Sequence, residues 1–138
     1  MGLVETGVKA VSRRMPKMIS PTTHAVIDYA MAASFFVVGA LLWRRHRRAA
    51  IASIACGLAE VATAAITDYP GGIRPMISLR THERIDGSLA GMVGAMPLAM
   101  NFGDDTEAKW FRAQGVAIAA VTGLTDWQRQ RLMWREAA

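Results

Sequence analysis

Met18-Ile19-Ser20-Pro21-Thr22-Thr23-His24-Ala25-Val26-Ile27-Asp28 returns 58 residues later as Met76-Ile77-Ser78-Leu79-Arg80-Thr81-His82-Glu83-Arg84-Ile85-Asp86, with seven of eleven positions identical. The offset holds without a gap to Thr67-Asp68-Tyr69, which falls on Thr125-Asp126-Trp127. Between these points Ala55, Gly57, Ala59 and Ala62 coincide with Ala113, Gly115, Ala117 and Ala120. A register kept across two apolar stretches and the loop joining them reads as the duplication of a two-helix unit. The expected fold is therefore all-α: a four-helix transmembrane bundle of two tandem two-helix repeats, residues 18–75 and 76–138. Residues 1–17 precede it as an amphipathic segment lying in the membrane interface.

The four apolar runs cover roughly 25–43, 49–67, 85–102 and 111–127. Each is at the short end of what crosses a hydrocarbon core. Ser20 before Pro21 supplies an N-cap with proline at the first helical position, and Tyr69-Pro70-Gly71-Gly72 stops the second helix. Trp43 and Trp110 are expected to mark one membrane interface, Tyr69 and Trp127 the other. The second run is rich in alanine, and Gly87, Gly91 and Ala95 stand four apart in the third. Lipid tails are as apolar as leucine, so membrane helices associate through close backbone approach at such small residues. In 3–17, Val4, Val8, Val11 and Met15 recur at helical spacing among Lys9, Arg13, Arg14 and Lys17, the pattern of a helix among anionic headgroups. Ten lysines and arginines flank the runs on the side of the termini and six on the other. The positive-inside rule then puts both termini in the cytoplasm, in a bacterial inner membrane.

Composition narrows the function classes. The chain has 138 residues, 52% of them hydrophobic and 20% charged, with a net charge of +5. The basic residues flank apolar runs instead of lining a polar face with interleaved aromatics, which argues against nucleic acid as a partner. The single cysteine, Cys56, excludes an intramolecular disulfide and a cysteine-only metal site. No phosphate-binding glycine loop, nucleophile elbow or His-Glu-x-x-His is present.

A serine-containing helix start, His-x-x-x-Asp and a Thr-Asp-aromatic helix end, all repeated, resemble the small bacterial membrane proteins of the SPW-repeat group. In the second copy, Ala95-Met96-Pro97-Leu98-Ala99-Met100-Asn101-Phe102 falls where such proteins carry a Ser-Pro-Trp stretch ending in phenylalanine. The tripeptide itself is absent, and the first copy lacks the proline. The resemblance implies the duplicated helical architecture and assigns no activity.

The duplicated polar residues are the candidate site. His24 and Thr67 are equidistant from the turn near residues 45–46, and Asp28 lies one helical turn deeper than His24 on the same face. With their repeat mates, His24, Asp28, Asp68, His82, Asp86 and Asp126 gather near the cytoplasmic helix ends. As ties, His24 is expected to donate to Asp68 and His82 to Asp126, stapling the helices of a non-enzymatic accessory or interaction module. The partners are then the lipid bilayer and either a second copy or another membrane protein, with no cofactor. The alternative is a membrane-embedded metal- or ligand-binding protein or enzyme, since histidine and aspartate suit zinc, manganese or iron. Histidines on the first and third helices also admit bis-histidine haem. Glu60, the one acidic residue deep inside an apolar run, suggests a proton or ion conduit. Its repeat mate is Ile118.

Overall fold

The computed structural model describes residues 6–7 and 15–128. Four helices, and no strand, occur among them: α1 (Pro21–Leu42), α2 (Arg47–Ile66), α3 (Leu79–Ala99) and α4 (Glu107–Leu124). The amphipathic segment expected over 3–17 falls almost wholly outside the described residues, as do Arg129, Arg131 and Arg135 of the charge count.

Local signals set the helix starts. The Ser20 hydroxyl accepts from the Thr23 amide at 3.1 Å, and Pro21 follows it. Ser78 does the same for Thr81 at 3.2 Å. Because the cap decides the start, α3 begins six residues before its apolar run, and its first turns carry Arg80, Glu83 and Arg84. His46 caps α2 through Nδ1, which accepts from the Ala49 amide, while its Nε2 lies 2.8 Å from Asp105 Oδ2 and ties the two far loops together. At the end of α3, Asn101 adopts a φ of 60°. The Phe102 amide then reaches Pro97 O, and that of Asn101 reaches Leu98 O, a left-handed cap that places Phe102 in the core.

α2 stops at Ile66, three residues before Tyr69-Pro70-Gly71-Gly72. Thr67 is already extended (φ −83°, ψ 140°) and pairs with Ile77. The same bridge forms 58 residues away in sequence, between Thr125 and Ile19. Its bonds match as well: Asp68 N to Ile77 O and Asp126 N to Ile19 O are both 2.9 Å. Each hairpin thus clasps the segment leading into a helix, at the end of the bundle where α1 and α3 begin.

α1 packs on α2 and α3 on α4. Glycines set the approach. A Cβ on Gly57 would stand 3.2 Å from Ala32 O, and one on Gly115 only 2.6 Å from Ala90 O, so α3 and α4 are the closer pair. Between the hairpins lies a core of Phe35, Phe102, Phe111, Leu89, Val93 and Ile118.

Polarity runs inside out. Val26, Val37, Leu41, Ile51, Leu58, Met92, Leu98 and Val116 face outward from all four helices, while His24, Asp28, Glu60, His82 and Asp86 are buried. α1 and α2 are long and apolar enough to cross a membrane. α3 and α4 do not meet that description: α3 carries Arg80, Glu83, Arg84 and Asp86, and α4 carries Glu107, Lys109 and Arg112.

Candidate metal centre

His24 and Asp28 sit one turn apart on α1, His82 and Asp86 one turn apart on α3. Both pairs face the bundle axis, 1–4% exposed. Each ring is held from the opposite hairpin. His24 Nδ1 lies 2.7 Å from Thr125 Oγ1, and His82 Nδ1 lies 2.7 Å from Thr67 Oγ1. Those hydroxyls have one proton each and give it to a carbonyl in their own helices, Thr125 to Val121 O at 2.7 Å and Thr67 to Thr63 O at 2.6 Å. Each threonine therefore accepts from the imidazole, which places a proton on Nδ1 and turns Nε2 inward.

Four groups able to bind a metal converge there. His24 Nε2 is 3.3 Å from His82 Nε2, 3.1 Å from Asp86 Oδ2 and 3.2 Å from Asp28 Oδ1. His82 Nε2 is 3.2 Å from Asp86 Oδ2 and 3.4 Å from Asp28 Oδ2. Ligand atoms of all four residues lie within 4.8 Å of one another. A regular tetrahedron with edges of about 3.1–3.4 Å would have its centre roughly 1.9–2.1 Å from each corner, against about 2.0–2.2 Å for zinc bonds to histidine and carboxylate. Here Asp28 turns a different oxygen to each ring, so the histidine-centred separations are of that size without forming one regular figure. Filling the space with protons on both Nε2 atoms would instead bring two N–H groups face to face. A porphyrin iron does not fit between nitrogens 3.3 Å apart, since two bonds of about 2 Å on opposite sides of a metal need a wider gap.

The surroundings are aromatic. Tyr69 donates to Asp28 Oδ2 at 2.8 Å. Burial, and then the Asp28 carboxylate beside it, push the Tyr69 phenol well above its ordinary pKa, so it keeps the proton it donates. Trp127 stacks edge-on against His24 with ring centres 4.6 Å apart and also touches His82. These two residues do not form the interfacial belt expected of them. They follow helix ends where the chain is extended, so successive side chains alternate between faces. Thr67 and Tyr69 point in, and exposed Asp68 points out. Thr125 and Asp126 alternate likewise, Thr125 fully buried and Asp126 half-buried.

Four of the six expected site residues therefore come together: His24, Asp28, His82 and Asp86. Asp68 and Asp126 stand outside the set. The histidine ties run not to those aspartates but crosswise to Thr125 and Thr67. Glu60 lies nearer the set than its apolar run suggested: its carboxylate is buried and within electrostatic reach of Asp86, Asp28 and His82. One surface groove, lined by Phe36, Ala40, Trp43 and Ile54, is apolar and belongs to the other end of the bundle. No family model matches the chain, and no curated protein or solved structure proved similar to it.

Proposed function

We propose that the chain is a small multi-pass membrane protein, a duplicated two-helix unit whose halves are tied together by a divalent transition metal at His24, Asp28, His82 and Asp86. The observation that carries this reading is the inward convergence of two Nε2 atoms and two carboxylates at 3.1–3.4 Å, each ring backed by a threonine hydroxyl. Two carboxylates crowded in this way need positive charge beside them, and a metal ion among the four ligands supplies it. Two nitrogens and two carboxylate oxygens suit zinc, manganese or iron.

Membrane residence draws support from the inverted polarity. Only 28% of the apolar stretch of α1 is buried, whereas an apolar helix in a water-soluble core is covered on most sides. The glycine contacts at Gly57 and Gly115 supply the close backbone approach that drives helix association in lipid. On this reading all four helices span, and the outward arginines of α3 snorkel to the headgroups. The termini are cytoplasmic and the membrane is a bacterial inner membrane, as the charge count and the resemblance to SPW-repeat proteins suggest. The role is accessory: four protein ligands fill a tetrahedral ion, while hydrolytic metal centres keep a position open.

Elemental analysis of protein purified in mild detergent, without chelators or a histidine tag, tests this. Near-stoichiometric metal, lost in His24→Ala/His82→Ala, is the expected result. Metal-free protein that takes up neither zinc, manganese nor iron on dialysis refutes it and leaves the four side chains as plain helix ties.

A further inference from the structure

Phe36, Ala40 and Trp43 stand four and three residues apart on α1, so they share a face in the order large, small, large. The gap over Ala40 lies open, and Ile54 of α2 forms its floor. Gly39 lets the two helices close at this point, since a Cβ on it would stand 2.7 Å from Ile54 Cγ1. The result is an apolar notch about 10 Å long by the helical rise. It runs down from the end of the bundle where α1 turns into α2. On α2, Arg47, Ile51 and Ile54 repeat the same spacing, which puts Arg47 at the mouth of the notch.

That mouth is basic. The Arg47 guanidinium lies 3.8 Å over the Trp43 ring and donates to Trp43 O at 3.4 Å, so it is held on the wall of the notch. Its planar fork of five N–H groups leaves most of them for an anion. Arg48 donates to Asn101 O at 3.2 Å. Arg44 and Arg45 are exposed, and no ion pair engages them among the described residues. The cluster lies on the side that the charge count puts outside the cytoplasm, where the positive-inside rule gives no reason to keep four arginines. The second copy has neither feature. Leu98 stands at the position of Ala40, and Phe102, Gly103, Asp104, Asp105 and Thr106 stand at those of Arg44 to Arg48. Notch and cations thus occur together in one hairpin, and the other hairpin folds without them.

We propose that this hairpin binds one anionic phospholipid, with its phosphate among Arg44, Arg45 and Arg47 and one acyl chain along the notch beneath Trp43. The inference rests on membrane residence and is independent of the metal. An apolar slot that ends in guanidinium groups is the complement of an acyl chain that ends in a phosphate. Guanidinium takes phosphate oxygens in paired hydrogen bonds, and basic pockets between membrane helices select headgroups of this kind. A zwitterionic lipid carries its own cation beside the phosphate, so the arginines gain less from it. A second copy docked through the same face about a twofold axis would set one arginine cluster against the other.

Flotation with phosphatidylcholine vesicles first shows whether the chain enters a bilayer. Protein stripped of lipid in mild detergent is then titrated with phosphatidylglycerol or with phosphatidylcholine of the same chains. Native mass spectrometry counts bound lipid for the wild type, Arg44→Gln/Arg47→Gln and Ala40→Phe. One phosphatidylglycerol per chain, with phosphatidylcholine roughly tenfold weaker, is the expected result. Each arginine near a headgroup is worth about fivefold in affinity, so the double variant should lose about 25-fold. Ala40→Phe fills the notch at an exposed position without altering charge, and it should lose the bound lipid while its unfolding temperature stays that of the wild type. Equal binding of the two lipids, or phosphatidylglycerol affinity unchanged in both variants, overturns the site and leaves membrane residence standing. Displacement of the lipid by inorganic phosphate overturns it in favour of a free-anion site, and a lipid-free two-chain mass overturns it in favour of a second copy. A chain that floats with no vesicle overturns membrane residence as well.

Discussion

Thr67 and Thr125 stand outside the proposed metal position, yet on that reading they decide which nitrogen of each histidine faces it. A hydroxyl that has spent its proton on Thr63 O or Val121 O leaves the ring no choice but to donate from Nδ1. Replacing either threonine by valine keeps the volume and removes the acceptor. Partners of this kind cost about 10–100-fold in metal affinity when lost, so Thr67→Val and Thr125→Val are each expected to weaken binding by that factor. A competition titration against a coloured chelator reads it, and an affinity unchanged in both variants would show that the tautomer is set elsewhere. The His-x-x-x-Asp pairs were legible in the sequence, because residues four apart on a helix share a face. The threonines stood beside them in the repeat but looked like helix ends. Periodicity gives the face of one helix and is silent on which copy's histidine meets which copy's threonine. Asp68 misled for a related reason: it is one residue past Thr67 in a segment that has left helical geometry, and alternation turns it outward.

At the scale of elements, the two hairpins use the same glycine at unequal separations. A Cβ at Gly115 meets backbone, Ala90 O at 2.6 Å and Gly94 N at 3.0 Å, whereas at Gly57 the nearest atoms are Phe35 Cβ at 3.0 Å and Phe36 Cε1 at 3.1 Å. A Cβ at Gly94 meets nothing within 4 Å. Alanine in a helix interior gains roughly 1 kcal/mol over glycine, and overpacking costs about 1–3 kcal/mol. Gly94→Ala is therefore expected to stabilise by up to about 1 kcal/mol, the intrinsic preference alone. Gly57→Ala should come out near neutral, and Gly115→Ala should destabilise by about 1–2 kcal/mol once the two effects are combined. Thermal unfolding in one detergent ranks the three, and a Gly115→Ala protein as stable as Gly94→Ala would show that α3 and α4 slide apart freely. The small-residue pattern announced close helices before any coordinates. What it left open was which pair is closer, since that distance depends on the rotation of each helix about its axis. Helix boundaries divided in the same way. Ser20 and Ser78 marked starts correctly, and the apolar run in α3 marked only the stretch that needs covering.

For the whole molecule, membrane crossing and metal binding make separate claims. Four spans put the Trp43–Arg48 turn and the Met100–Thr106 loop on one side and the loop from Thr67 to Ser78 on the other. In a Cys56→Ala background, Arg45→Cys and Asp104→Cys should react with an impermeant thiol reagent applied outside the cell, and Ile73→Cys should not. Asp104→Cys labelling like Ile73→Cys would remove α3 and α4 from the membrane. All four runs read as spans in the sequence, and the charges near the starts of α3 and α4 are what set those two apart from α1 and α2. The metal claim concerns how the halves cohere. Hydrogen-bonded ties between membrane helices average only about 0.6 kcal/mol each, so histidine ties alone give a bundle indifferent to chelators. A bound ion adds RT ln(1 + [L]/Kd), about 2.7 kcal/mol at a hundredfold excess over Kd, and all of it depends on both hairpins being in place, because α1 and α3 each supply half of the ligands. Chelation is accordingly expected to lower the unfolding temperature of the wild type and leave that of His24→Ala/His82→Ala unmoved. Re-addition of metal should restore only the former. Equal melting of the wild type with and without chelator, in protein shown to have lost its metal, would mean that the ion occupies the centre without holding the halves together, and the cohesion would then rest on the glycine contacts and the crossed Thr67–Ile77 and Thr125–Ile19 pairings.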